Sequence, residues 1–279
     1  MSTTLNTPRP CLALLTDFGL ADPYVGQLKA AIYRQCPDAL IVDISHQVPA
    51  FNVRVAGYFL AASAPHFAPG TVFLTVVDPG VGSERDIVAL ETGSQIFIAP
   101  NNAILSLIGQ GAPGPANSLW RLLQVEQHSD SSTFAGRDLL APAVGKLLTN
   151  RNLEEIAGPI PLNRLHKEHW SHAKALKGKI NAEILHVDHF GNVVINLSCK
   201  QKELVEIPAS MLCKFRGKEY PLFSAAHYAQ IPGRSLGLVP GSQGYMEISM
   251  NRGSAAFLLG VELEADMGMP ADLQLSISY

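Results

Sequence analysis

The first half of the chain alternates short apolar runs with longer segments whose apolar positions recur at helical spacing. CLALLTDF at 11–18 is almost wholly apolar until it meets acid and glycine, the pattern of a strand buried on both faces. YVGQLKAAIYRQC at 24–36 predicts a helix, and ALIVDIS at 39–45 a second buried strand. VRVAGYFLAASAPHF at 53–67 reads as a helix stopped near Pro65. TVFLTVVD at 71–78 is a third strand that runs into a tight PGVG turn. DIVALET and QIFIAP predict two further strands, antiparallel to each other, and 102–110 and 140–150 predict helices. Such alternation implies an α/β domain built on a mostly parallel sheet.

The pattern then changes. Residues 150–178 hold Pro159, Pro161 and many polar positions, and read as a connection. After it come short strand-like runs separated by turns: KINAEILHVD, NVVINLS, LVEIPAS, LCKFRGKEY, SLGLVP, YMEISM and AAFLLG. Short strands with little helical periodicity suit a small β-barrel or sandwich of about 100 residues. The expected division is an α/β domain at 1–160, a linker at 161–178 and a β-barrel domain at 179–279.

Composition narrows the function classes. Of 279 residues 47% are hydrophobic and 16% charged, enough to bury a core and too apolar for a disordered chain. The net charge of −3 gives no electrostatic footprint for nucleic acid. No apolar run approaches the ~18 residues of a membrane span, and the start MSTTLNTPRP lacks the pattern of a secretory signal. Cys11, Cys36, Cys199 and Cys213 lie far apart without a paired motif, which suits free thiols in a reducing cytoplasm. His166, His169 and His172 are spaced three apart, but no cysteine or carboxylate completes a ligand pattern, so no metal site is expected.

Candidate chemistry sits at strand ends. Asp17, Asp43 and Asp78 all fall at or near the C-terminal ends of predicted parallel strands, where ligands gather in open α/β sheets. In DPGVGSER, Pro79 fixes the turn, Gly80 and Gly82 allow close backbone approach, and Arg85 can fold back towards Asp78. A carboxylate beside a guanidinium can hold and polarise a water; it can equally close a turn as a structural ion pair. Asp17 in TDFG can accept from a ribose diol or cap a turn. Thr133 and Phe134 in TFAGRD can line a pocket. In DHFGN, Phe190 can stack on a planar base and Asn192 can hydrogen-bond it, although glycine–asparagine is also ordinary turn chemistry. Ser242 in GSQGY, with nearby backbone N–H groups, can receive a carboxylate.

Taken in order, these motifs resemble the S-adenosyl-L-methionine (SAM) hydroxide adenosyltransferase family, the adenosine-forming SAM hydrolases, whose relatives include fluorinases and chlorinases. The carrying segments are TDFG with Asp22 and the following YVG, DISHQV at 43–48, VVDPGVG with Arg85, APNN at 99–102, TFAGRD, DHFGN with the pair at 195–196, and the GSQGY segment with Asn251. The resemblance implies an N-terminal α/β domain, a C-terminal barrel and a homotrimer that binds SAM at subunit interfaces. It implies no cofactor, SAM being the substrate. By position it gives Asp17 the ribose hydroxyls and places Asp22 and Phe51 near the ligand. Phe190 and Asn192 would meet the adenine, with Asn251 and Arg252 beside it. Asp188 and Ser242 would hold the methionine end, and Asp78 and Arg85 match two of three expected catalytic groups. The third, a histidine before GRD, is Ala135 in this chain. Asn101 and Ala103 stand where the pattern often has Asp and Gly.

Overall fold

The structure is a computed structural model, and it describes residues 9–108, 117–123, 134–202, 207–261 and 273–279. The chain separates into two compact units, Met1–Lys167 and Glu168–Tyr279.

The first unit contains β1 (Cys11–Thr16), α1 (Tyr24–Gln35), β2 (Leu40–Ser45), α2 (Val53–Ser63), β3 (Val72–Val76), β4 (Ile87–Thr92), β5 (Gln95–Pro100), β6 (Asn117–Leu122), α3 (Ala141–Asn150) and β7 (Ala157–Ile160). Its sheet runs β2-β1-β3-β5-β4-β6-β7. The first four strands are parallel neighbours, and the remaining pairings are antiparallel, including the expected β4–β5 pair. Alternation along β1 explains the layering, because successive side chains leave opposite faces of a strand. Leu12 and Leu14 pack in a core with Leu28 and Ile32 of α1 and Val144 of α3. Ala13 and Leu15 pack in another with Val55 and Leu60 of α2. Both faces of β1 and β3 are covered, which is why these strands read as unbroken apolar runs. β2, expected as a buried strand, is instead the edge of the sheet, with Leu40 and Val42 exposed.

Local chemistry sets several ends. Asn52 caps α2, its side chain accepting from the Val55 N–H at 3.0 Å. Pro65 falls in a 3-10 turn at Ala64–His66 that stops the helix where the sequence predicts. The helix expected over 102–110 is a single 3-10 turn, Ile104–Leu107, entered through Ala103 in the left-handed conformation; residues 109 and 110 lie outside the described set. A turn of π-helix, Gly136–Leu140, leads into α3.

The second unit contains β8 (Lys174–Leu176), β9 (Lys179–Val187), β10 (Val193–Ser198), a short helix α4 (Cys199–Lys202), β11 (Ser210–Phe215), β12 (Lys218–Ser224), β13 (Leu236–Pro240), β14 (Tyr245–Met250), α5 (Ala255–Leu259) and β15 (Gln274–Ser278). Seven of these strands close into a barrel: β10-β14-β13-β12-β11-β15-β9, with β9 pairing again to β10 and β8 added outside on β9. Ile180, Ile184, Val193, Phe215, Ile248 and Ile277 fill the interior.

Three further expectations change. AAFLLG forms a helix, α5, because the Ser254 hydroxyl accepts from the Phe257 N–H at 3.1 Å and Gly260 adopts the left-handed conformation that ends a helix. In the LVEIPAS run, residues 207–209 form no strand and 204–206 lie outside the described residues. The connection at 150–178 carries two paired strands, β7 and β8.

Candidate functional site

In the first unit the ends of β1 and β3 bring together Asp17 and Asp78. Asp78 lies two residues past β3, and its side chain is 11% exposed. One carboxylate oxygen, Oδ1, accepts from the Gly80 N–H at 2.9 Å and pairs with the Arg85 guanidinium. Among the described residues, Oδ2 makes no further hydrogen bond. Gly80 leaves room for the Arg85 guanidinium to lie against the turn, where a side-chain carbon would push that flexible end aside. The turn brings together the two groups whose spacing allowed it, as an ion pair.

Asp17 follows β1 directly, and its Oδ2 accepts from the Phe51 N–H at 2.8 Å. Phe51 reaches that position in a left-handed conformation, φ 63°, which is strained for a bulky residue. Burial raises the Asp17 pKa above the ordinary carboxylate value; the Phe51 and own-backbone N–H groups oppose this, and the charge of Asp78 adds to it.

Phe134 lies on the same side. Its ring centroid is 5.5 Å from Phe18 and 5.3 Å from Tyr24. A side-chain carbon on Gly136 would be 3.2 Å from Phe134 and 3.5 Å from both Phe18 and Val76, so this turn packs directly against the ends of β1 and β3. Ala135 is half-buried at the start of the π turn. Arg137 pairs with Asp138, its Nε 2.6 Å from Oδ1, and its guanidinium lies 5.1 Å from the Phe134 ring centre. Thr133 lies outside the described residues. Asp22 is exposed in the turn ahead of α1.

Beneath this group lies a network of which the sequence pointed to Asp43 and the DISHQV run but not to Thr16 or Lys29. The Thr16 hydroxyl is 2.8 Å from Nδ1 of buried His46 and accepts from the Phe18 N–H at 3.3 Å. The His46 carbonyl accepts from the Gly19 N–H at 2.7 Å. Nε2 of His46 lies 3.2 Å from Asp43, which also pairs with Lys29 at 2.6 Å. Burial pushes the Asp43 pKa up, but Lys29 and His46 together carry it below the ordinary value. The network clamps residues 16–19 and so fixes where Asp17 points. Its signal was DISHQV, in which a histidine directly follows the β2 strand.

In the second unit, the loop at 188–192 meets the turn that follows β14, whereas the turn at 241–244 precedes β14 and lies at its other end, the Gly244 carbonyl accepting from the Cys199 N–H at 2.9 Å. Asp188 organises its own loop: Oδ1 accepts from the Phe190 N–H at 2.9 Å and the Asn192 N–H at 2.8 Å, and Oδ2 from the Asn192 amide at 2.8 Å. Asn192 is buried, while Phe190 is 77% exposed. The Ala256 N–H donates to the Gly191 carbonyl at 2.9 Å, so the start of α5 rests on this loop. Asn251 is half-buried and Arg252 exposed, the latter in a left-handed conformation with φ 55°. Ser242 is exposed in the turn at 241–244.

Glu247, another residue the sequence reading passed over, is buried in β14 and accepts from the Tyr228 hydroxyl at 2.7 Å. Burial, assisted by the charge of Asp188, holds its pKa above the ordinary range against the Tyr228 bond. Tyr228 is pushed up to about 12 by burial first and then by Glu247 and Asp188. An acid in the inward-reading run YMEISM was the available signal.

A layered α/β unit with carboxylates at its strand ends, joined in one chain to a small closed barrel, defines a two-domain architecture. Residues 12–157 match the family model of the SAM hydroxide adenosyltransferase N-terminal domain, and 182–267 that of the C-terminal domain. The chain belongs to the SAM hydroxide adenosyltransferase family. It is 31% identical over 256 residues to an (R)-S-adenosyl-L-methionine hydrolase of Salinispora tropica, covering 91% of this chain and 95% of the relative. An (R)-S-adenosyl-L-methionine hydrolase of Thermus thermophilus is 30% identical over 273 residues, with 93% and 97% covered. The similarity to a fluorinase of Nocardia brasiliensis is 32% over 129 residues, 38% of this chain and 43% of the relative. Among solved structures, a conserved protein from Thermotoga maritima superposes with a TM-score of 0.82 at 30% identity, covering 96% of this chain and all of that one.

Proposed function

We propose that the chain hydrolyses SAM to adenosine and L-methionine by attack of water at the ribose C5′. The carrying observation is Asp78 at the end of β3: one carboxylate oxygen is fixed by Gly80 and Arg85, and among the described residues the other makes no hydrogen bond. The near full-length similarity to two SAM hydrolases supports the same reading, against the shorter match to a fluorinase.

The reaction breaks the C5′–S bond, forms a C5′–O bond and releases one proton. The sulfonium leaves as neutral methionine, so the demand falls on the nucleophile, and bulk water with a pKa of 15.7 is a weak one. Asp78 and Arg85 act mainly by holding that water in line with the C–S bond. Asp17 receives the ribose hydroxyls, Phe51 and Phe134 flank the sugar, and Asp22 with Thr133 completes that side. Phe190 and Asn192 take the adenine with Asn251 and Arg252, and Asp188 with Ser242 takes the methionine end. Asp188 is committed to its own loop, which supports a role in shaping the loop as well as in contact. Each unit carries part of this set, which supports a homotrimer with sites at subunit interfaces. The free thiols support a cytoplasmic setting. Among the described residues, no helix is long and apolar enough to cross a membrane.

Ala135 leaves space where an imidazole would stand, and a second water fills it. A chloride there would meet the charge of Asp78; like charges at ~4 Å repel by about 4 kcal/mol at an effective dielectric of 20. The test is incubation of purified protein with SAM, with and without chloride, and chromatography of the products. Adenosine with methionine is expected in both arms. 5′-Chloro-5′-deoxyadenosine would overturn the nucleophile, and tight SAM binding without product would overturn the enzyme.

A further inference from the structure

We infer that the outer wall of the barrel carries a second ligand site, one that takes a small compound with several phosphate groups. The observation is a cavity of about 590 Å³ bounded by β8, β9, β11 and β15. Strand register builds it. Lys174 of β8 lies opposite Asn181 of β9, Asn181 opposite Ser276 of β15, and Ser276 opposite Lys214 of β11. Directly opposed residues sit about 5 Å apart, so this row places a lysine at each end of roughly 15 Å of polar surface. Lys179, two residues before Asn181, points from the same face of β9, and Arg216 enters from the β11–β12 turn.

Among the described residues, Lys174, Lys179 and Lys214 make no ion pair. Arg216 spends one N–H on the Gly260 carbonyl at 2.9 Å, and its guanidinium lies over the Phe215 ring, which fixes its direction. The acids nearby are Glu183, at the cavity wall with His169 3.4 Å away, Glu168, on the other side of the same imidazole at 3.4 Å, and Glu219, opposite Lys214 on β12. Three exposed lysines and Arg216 against one lining carboxylate, in a chain whose net charge is −3, concentrate positive charge at this cavity. The volume falls in the range of small-molecule sites, about 300–1,000 Å³. One orthophosphate would fill little of it, and its charge would meet only part of the row; a chain of phosphates matches both. The hydroxyl of Ser276 and the amide of Asn181 supply neutral donors between the cations. The site lies on residues 179–183 of β9, whereas the loop read as adenine-binding starts past its other end, at 188.

The test is calorimetric titration of the full-length protein with inorganic tripolyphosphate at low salt, in parallel with ATP, with orthophosphate and with a short single-stranded RNA. Saturable binding of one tripolyphosphate per chain is expected, weakened at least tenfold in Lys174→Gln/Lys214→Gln and unchanged in Arg34→Gln, an exposed cation on α1. Affinity should fall with added salt, as charge pairing requires. ATP bound as tightly as tripolyphosphate or tighter supports the site and identifies a nucleotide as its source; ATP bound more weakly supports it and identifies a free polyphosphate. Absence of saturable binding, equal loss in Arg34→Gln, tighter binding of the RNA, or displacement by SAM would overturn it. Circular dichroism of the double variant separates lost binding from lost fold, and a variant that binds normally also overturns the proposal.

Discussion

Asp78 and Asp188 are both aspartates that open a loop at the end of a strand, and they are used in opposite ways. Asp78 ties one oxygen to its turn, and among the described residues the other has no hydrogen-bond partner. Asp188 ties both oxygens to residues within four positions of itself. The first arrangement keeps acceptor capacity for something outside the chain. The second converts acceptor capacity into loop shape, presenting an exposed Phe190 above a buried Asn192. A carboxylate in a motif is therefore read by how many of its lone pairs the fold has already taken.

The largest effect that would break this contrast is at Asp78. Asp78→Asn keeps the shape but removes the charge facing the water; adenosine release should fall by about 10²–10³-fold, the usual size for loss of one preorganised electrostatic group. SAM affinity by calorimetry should change only a few-fold. Turnover at the parental rate would leave Asp78 with no essential part.

Next comes acid sensitivity, which should be carried by the barrel. Burial lowers the His186 pKa from 6.5 to about 4, although the charge of Asp188 opposes the shift. Between those values the unfolded chain binds the proton and the folded chain does not. The stabilisation present above pH 6.5 is therefore lost as pH falls towards 4, up to roughly 3 kcal/mol. Urea unfolding at several pH values should show this slope, flattened in His186→Gln. An equally steep profile in the variant would assign the loss elsewhere.

Asp188→Ala should cost about 2 kcal/mol, because it leaves two backbone N–H groups and one amide without their acceptor. Thermal unfolding should shift down, and SAM affinity should weaken more than kcat changes. If instead kcat collapses with affinity intact, Asp188 works as Asp78 does and the contrast fails. The smallest effect is expected for Gly80→Ala. The added methyl displaces the flexible end of Arg85 and loosens its hold on Asp78. Turnover should drop roughly tenfold through lost positioning, with stability by urea unfolding unchanged within about 1 kcal/mol.

The legible parts of the sequence were those where one physical demand dominates. Strands β1 and β3 are buried on both faces, so nothing but apolar residues fit and the runs stand out. NSLWRL of β6 and AGPI of β7 mix exposed and buried positions, and AGPI carries Gly and Pro, so neither run announces a strand. α5 was misread because five apolar residues satisfy either period; the deciding signals were its flanks, Ser254 and Gly260. The approach of Asp78 and Arg85 was legible because it spans one short turn. The linkage of Thr16 to His46, thirty residues apart, depends on β1 and β2 being parallel neighbours, which local pattern does not encode.

The π turn at Gly136–Leu140 holds one residue more per turn than its continuation in α3. Loss of a single codon within it would let the backbone relax into regular α-helix. Everything ahead of the deletion would then rotate by about 100° around the helix axis. Phe134 would leave the aromatic cluster with Phe18 and Tyr24, and Ala135 would turn away from the ends of β1 and β3. The identity of residue 135 has chemical meaning only while that extra residue is kept. Changes of length in this segment are thus a sharper lesion than most changes of side chain.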